Sequence, residues 1–530
     1  MTDKLTPQMR IILATVLSFL FFALYDHFFI PKNPPVSETT TLEQNATPAT
    51  AASAPANVTS ASSATLTGAP AGSSKLGEII ATVKAKGYEV QIDRLGRIAK
   101  FYLEEEKYKD DKGERFQLID ASQALLPLEI RFSDKAVNED AFVMSYSADK
   151  ETIDVSENGS SVVLTQTLSS VVVTKTITFF PSGQYDLHVK LSSPKEYFLS
   201  PGLRPSIAVD SYTFHGALIK KSDGSIKTIA DGDSKGDEHF SNAHIVAGAD
   251  KYYTTFFYDF TKGLESVVSS SGKDKDPLLF VKGEEDFKLS GYIGPKEHVK
   301  LKSINPELTD VIEYGFFTFI SKPLFSWLAF LHGIFGNWGW AIVAMTITVR
   351  LVLYPLTYKG MVSMNKLKEL APKVKELQKK YADDKQKLNT HMMELYKKNG
   401  ANPMGGCLPI VLQIPVFFAV YRVLQNAIEL KGAPWIFWVH DLAIKDPYFI
   451  LPVAMGITMF LHQRITPTSF TDPMQEKIMK FLPLIFTFFF VSFPAGLTLY
   501  WFTNNVASIV QQFYVNKLFA KKHEEQKVEK

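Results

Sequence analysis

The chain of 530 residues has one cysteine, Cys407, so no disulfide framework can staple any part of it. It has no CxxC, HExxH or GxxxxGKS/T motif, which removes the usual signs of dithiol redox, zinc-protease and P-loop chemistry. Asp231-Gly-Asp-Ser-Lys-Gly-Asp237 falls short of a calcium loop. Lys235 replaces a ligand there, and Asn242 stands where the bidentate glutamate belongs. Acid is missing from the long apolar stretches as well: Glu429 and Asp446 lie only at their margins. Those stretches hold no aspartate pair, Ser–His pair or metal set, so the expectation is a protein that is not an enzyme, with no metal, cofactor or small-molecule substrate.

What is present is apolar and aromatic. The chain is 46% hydrophobic with 40 phenylalanines, and its formal net charge is +2. The run Trp338–Tyr358 is long enough to cross a bilayer and carries Arg350 inside it. A cation at that depth costs at least ~2.5–3.5 kcal/mol and marks a functional site by default. Snorkelling is the alternative, but Tyr358 is about 12 Å of helix away. Without a carboxylate nearby, Arg350 must be hydrated, bound to carbonyls or lipid, or awaiting a negative charge from outside.

The rest of the chain divides by composition. Residues 1–31 read as a retained signal anchor, because Lys4 and Arg10 precede the apolar run Ile11–Ile30 and no small-residue cleavage site follows. Residues 32–75, rich in Ser, Thr, Ala and Pro, read as a flexible tether. Residues 76–312 show period-two runs at Tyr88–Asp93, Leu126–Phe132, Ser161–Thr167, Val171–Phe180 and Tyr185–Leu191, with turns at Asn158-Gly159 and Ser182-Gly183. They predict a large, mostly antiparallel β-sandwich. His215, His239, His244 and the aromatic run Tyr252–Phe260 show no metal spacing and are expected to be surface and core residues.

Residues 313–337 predict an amphipathic helix lying in the interface, and residues 338–516 a core of five spans. The core includes a helical hairpin at 360–400. Between Lys359 and Lys398 stand eleven lysines against five acidic residues, a net six positive, so this hairpin is expected to be cytoplasmic. Cys407–Ile428 and Pro447–Gln463 are the next spans. Phe481–Gln511 is too long for one crossing and is broken at Phe493-Pro-Ala-Gly496 into two. The fold expected is therefore a multi-domain membrane protein with an all-α core, six transmembrane helices in total and a large outward β-sandwich. Residues 517–530 form a basic cytoplasmic tail.

Thr346 lies one turn before Arg350, and Gln413, Asn504 and Asn505 lie in later spans, which suggests a polar, hydrated surface inside the bundle. Phe417, Phe418, Phe486, Phe488, Phe489 and Phe490 load the third and fifth spans with large apolar side chains.

Several motifs resemble the YidC/Oxa/Alb membrane protein insertases. They are Met404-Gly-Gly-Cys-Leu-Pro-Ile410, His440-Asp-Leu442, Asp446-Pro-Tyr-Phe-Ile-Leu-Pro452, Thr471-Asp-Pro-Met-Gln-Glu-Lys-Ile-Met479 and Phe493-Pro-Ala-Gly-Leu-Thr-Leu-Tyr500. An anchor followed by a large β domain resembles the Gram-negative arrangement. The resemblance implies an inner-membrane insertase that acts alone or beside the SecYEG translocon and its accessory proteins, without nucleotide. It implies a hydrophilic groove formed by Arg350, Thr346, Gln413, Trp501 and Asn504, and a hydrophobic slide on Phe417, Phe418, Phe486 and Phe489. Where Gram-negative relatives usually carry a second tyrosine after Tyr500, this chain has Trp501, so an aromatic contact survives and a hydroxyl is lost. Implied partners are nascent membrane proteins, the lipid bilayer, and the ribosome and targeting factors through the hairpin and tail. The alternative from the residues alone is a transporter or channel for a small anion held by Arg350.

Overall fold

The computed structural model describes residues 77–528, apart from 109–114, 208–212, 273, 382–383, 403–407 and 467–472. The expected anchor and tether, Cys407 and the pair Thr471-Asp472 lie outside the described residues. Most of what is described belongs to one unit, Ala64–Ser469 with Leu482–Lys530; Phe470–Phe481 belongs to another.

Alternating burial builds the β domain. Along Val172–Phe179 every second residue is buried, and the strand pairs with Ser160–Thr167 on one side and Gln184–Leu191 on the other. The two hairpin turns are glycine turns for a physical reason. Gly159 and Gly183 sit at φ 88° and 86°, and a Cβ on Gly183 would stand 2.9 Å from the Ile293 carbonyl oxygen. These strands belong to a 13-stranded sheet, and Tyr88–Asp93 belongs to a five-stranded one. Val90, Ile92, Val173, Ile177 and Leu187 share one buried cluster, so the two sheets pack face to face as a β-sandwich. Tyr253–Tyr258 is a wholly buried strand of the larger sheet.

The expected strand Leu126–Phe132 forms only over Ile130–Phe132. Leu128 adopts φ 69°, and its carbonyl accepts from the buried Lys175 Nζ at 2.8 Å. Pro127 and Leu128 form a turn there, closed by the Glu129 amide on the Leu126 carbonyl at 3.2 Å, and Lys175, which also donates to the Gly96 carbonyl at 3.0 Å, satisfies the carbonyl the turn presents.

The remainder is helical. α1 (Lys135–Val143) sits within the β domain, capped by Asp134, and α2 (His298–Ile304) closes it. α3 (Thr318–Phe335) buries Ser321, Phe325, Leu328 and Leu331 and exposes Phe319, Phe330 and Ile334, so it is amphipathic; left-handed Gly336 ends it. α4 (Trp338–Lys380) starts on an Asn337 cap. It is one 43-residue helix, where a span ending near Tyr358 and a separate hairpin arm were expected. Neither Pro355 nor Pro372 ends it, and good helix formers such as Met364, Leu367 and Lys368 continue it between them. α5 (Lys385–Lys398) follows, with Asp384 accepting from the Lys387 amide.

α6 (Leu408–Asn426), α7 (Ile450–Ile465), α8 (Pro473–Phe490) and α9 (Ala495–Val528) complete the chain. The break at Phe493-Pro494 separates α8 from α9 as the sequence predicts. α9 runs on into the expected tail as far as Val528. Among the described residues α4 is the one helix long and apolar enough to cross a membrane, and α7 is a shorter apolar helix.

The connection between α6 and α7 joins the helices to the β domain. Ile428 lies in the β core, Glu429 Oε1 accepts from the His298 amide at 2.7 Å, and Lys431 Nζ donates to the Tyr253 hydroxyl at 3.2 Å. Burial pushes the Glu429 carboxyl up to about 7 and the His298 imidazole down to about 4. The raised carboxyl favours the folded state below the ordinary glutamate value and loses that contribution as pH rises through about 7. His298 acts oppositely: its neutral form is favoured, so its contribution is full above the ordinary histidine value and is lost as pH falls through about 4. Glu429→Gln keeps the acceptor and removes one titration. In thermal melts from pH 4.5 to 8, wild-type stability should fall relative to the variant as pH rises; a difference that stays constant across the range would mean that Glu429 does not titrate there.

Candidate functional site

Arg350 is 9% exposed, and its guanidinium is held by oxygens of neutral groups. Its Nε donates to Asn504 Oδ1 at 2.6 Å. One terminal nitrogen donates to Ser508 Oγ at 2.5 Å, to the Asn504 carbonyl at 3.2 Å and to Gln413 Oε1 at 3.4 Å. Among the described residues no carboxylate is bonded to it. Cations are usually buried only with a counter-charge, because their desolvation costs several kcal/mol each. Here partial dipoles replace it.

The local sequence explains the geometry. Thr346 and Arg350 are one turn apart on α4 and share a face. Thr346, 1% exposed, returns its hydroxyl to the Ile342 carbonyl of its own helix, so it lines the site without bonding Arg350. Asn504 and Ser508 are likewise one turn apart on α9, and Ser508 Oγ also donates to the Asn504 carbonyl at 2.7 Å. α6 contributes Gln413 as a third helix.

Arg350, Gln413 and Asn504 therefore meet directly, while Trp501 does not touch the guanidinium by any hydrogen bond. Its ring lies edge-on to Phe417, with centroids 4.7 Å apart, and stacks near Phe486 at 6.1 Å. Trp501 Nε1 is buried and has no acceptor among the described residues. A donor left in that state usually costs about 1–3 kcal/mol. Phe418, 40% exposed, and Phe488, 77% exposed, point outward; Phe489 is half-buried beside Phe488.

Ser508 was missed by sequence reasoning, since one hydroxyl in an apolar helix reads as ordinary. Its signal was spacing: Asn504, Ser508, Gln512 and Asn516 recur every fourth residue and form one polar stripe.

The chain is similar to known proteins over most of its length. A family model described as 60Kd inner membrane protein matches residues 330–523, and one described as YidC periplasmic domain matches residues 209–327. The membrane protein insertase YidC of Campylobacter jejuni is 54% identical over 523 residues, which cover 98% of each chain. That of Wolinella succinogenes is 53% identical over 98% of this chain and 97% of its own. That of Helicobacter pylori strain 26695 is 47% identical over 98% of each. With relatives at this identity along nearly its whole length, and both regions matched, the chain belongs to the YidC family of membrane protein insertases.

Proposed function

We propose that this chain inserts and helps fold inner-membrane proteins by receiving a client's short polar segment in a groove around Arg350. The single observation that carries this reading is the guanidinium held by Asn504, Ser508 and Gln413 with no carboxylate bonded to it among the described residues. Bonds to neutral oxygens can be exchanged for a passing carboxylate, whose full charge attracts the cation more strongly than a dipole does. Thr346, Trp501 and Asn504 line the groove, and the Trp501 indole N–H can donate to a client carbonyl. The adjoining apolar segment moves along Phe417, Phe418, Phe486 and Phe489 into lipid, gaining ~25 cal/mol per Å² of apolar area removed from water. Insertion then runs downhill without nucleotide or covalent intermediate.

In this reading six helices cross the membrane, both termini and the α4–α5 hairpin are cytoplasmic, and α3 lies flat on the periplasmic surface. Lysine excess on the hairpin supports that orientation. The partners are nascent membrane proteins, the bilayer, the SecYEG translocon with its accessory proteins, and the ribosome and targeting factors at the hairpin and tail.

The test is depletion of the protein, followed by protease accessibility of a small phage-coat-like client with acidic residues in its translocated segment. Insertion should fail on depletion, return with wild type and stay absent with Arg350→Glu, which sets like charges together. Normal insertion without the protein, or full rescue by Arg350→Glu, overturns the reading. Anion flux through the purified protein in liposomes would favour a channel instead.

A further inference from the structure

The polar stripe of α9 does not stop at Arg350. Asn516 Oδ1 accepts from Asn365 Nδ2 at 2.9 Å and from Gln512 Nε2 at 2.8 Å, while its Nδ2 donates to the Ile465 carbonyl at 3.1 Å. One carboxamide thus joins α4, α9 and the last residue of α7. Asn365 is 8% and Gln512 2% exposed. The Ile465 carbonyl is one of the final four of its helix, which have no donor within it.

Place decides what this join can do. α4 and α7 run packed along α9, whereas α6, with Gln413, meets α4 and α9 at few points. The join therefore lies among the three helices α4, α7 and α9, away from α6. Apolar packing along α4 and α9 is non-directional, whereas hydrogen bonds between them fix their register. Arg350 is one tie between α4 and α9, and Asn365 is the second, about 22 Å further along α4. In the groove reading, a client carboxylate draws Arg350 from Asn504 and Ser508, so the first tie loosens in use. The second remains.

We propose that the Asn365–Asn516 carboxamide pair is a positioning element that keeps α4 and α9 in register so that Arg350 stays aimed at the groove while its own bonds are exchanged. This rests on the groove reading above. Neither residue touches the client; both act through Arg350.

The experiment measures insertion of the acidic client, and of its Asp/Glu→Asn/Gln counterpart, by full-length Asn516→Leu, Arg350→Ala and the double variant in vivo. Asn516→Leu should cut insertion of the acidic client about tenfold and leave the neutral one within about twofold. The double variant should be no worse than Arg350→Ala alone. Asn365→Leu breaks the same bond from α4 and should reproduce the pattern; it decides the matter if Asn516→Leu fails to accumulate. Additive losses, or equal loss for both clients, overturn the tie while leaving the groove reading standing. An Arg350→Ala variant that inserts the acidic client normally overturns both.

Discussion

Arg350→Met should abolish most insertion of acidic clients while leaving the folded protein close to wild type in stability. Two opposing terms set the stability side. Burying a guanidinium costs several kcal/mol, and its bonds to neutral oxygens return about 1.5–3 kcal/mol each. Methionine removes both terms and keeps most of the volume. What remains exposed to loss is Asn504 Oδ1 and, more weakly, Gln413 Oε1, since Ser508 Oγ already donates to the Asn504 carbonyl. The net change is therefore expected within about 2 kcal/mol of zero, in line with replacements of buried charges by apolar side chains. Activity follows a different term. A counter-charge 4 Å from a client carboxylate is worth about 1 kcal/mol in a water-like groove and about 4 kcal/mol at an effective dielectric of 20. The loss should thus lie between about fivefold and a thousandfold. A detergent-solubilised thermal melt and the protease-protection assay, run on the same preparation, separate the two. A melt lowered in proportion to the lost insertion would mean that Arg350 is a structural residue only.

The largest stability effect is expected far from the groove, in the β domain, at Arg97→Ala. Arg97 is 3% exposed and donates to Asp93 Oδ2 at 2.8 and 2.9 Å and to Glu129 Oε2 at 3.0 Å. Asp93 and Glu129 are 0% and 2% exposed. Removing the guanidinium strands two buried carboxylates. Glu129 keeps Arg131, and Asp93 keeps the Leu95 and Arg97 amides, so compensation is partial. Breaking one side of a buried pair typically costs about 3–5 kcal/mol. Hydrogen exchange of the Tyr88–Asp93 strand should report that loss in its opening free energy. Arg115→Ala is the control. Arg115 bridges Glu89 and Glu104 with its side chain 44% exposed, and solvent screening should hold its effect below about 1 kcal/mol. Equal losses for the two variants would refute the argument from burial.

Much of the architecture was legible because hydropathy and turn chemistry are local. Alternation from Ser161 to Leu191 predicts strands close to those observed, since each is set by its own side chains and by glycines that the turns require. The break at Phe493–Gly496 follows from one missing donor and one missing Cβ. Local pattern misled elsewhere. The Leu126–Glu129 turn, whose Leu128 carbonyl the distant Lys175 binds, interrupts an expected strand, and α4 runs through Pro355 because a proline removes one bond and not the helix.

By itself the sequence determined that a cation lies in an apolar helix with no acid at hand, and that amides and aromatics accompany it. Periodicity states which residues share a face of one helix. It does not state which faces meet. Only the tertiary structure decided that Asn504 and Ser508 hold Arg350, 154 and 158 positions away, while Gln413 reaches it from another helix. Packing likewise divided the phenylalanines, turning Phe417 and Phe486 onto Trp501 and Phe418 and Phe488 outward. Those pairings arise from how the helices pack against one another across long stretches of chain, a contact that no local stretch encodes.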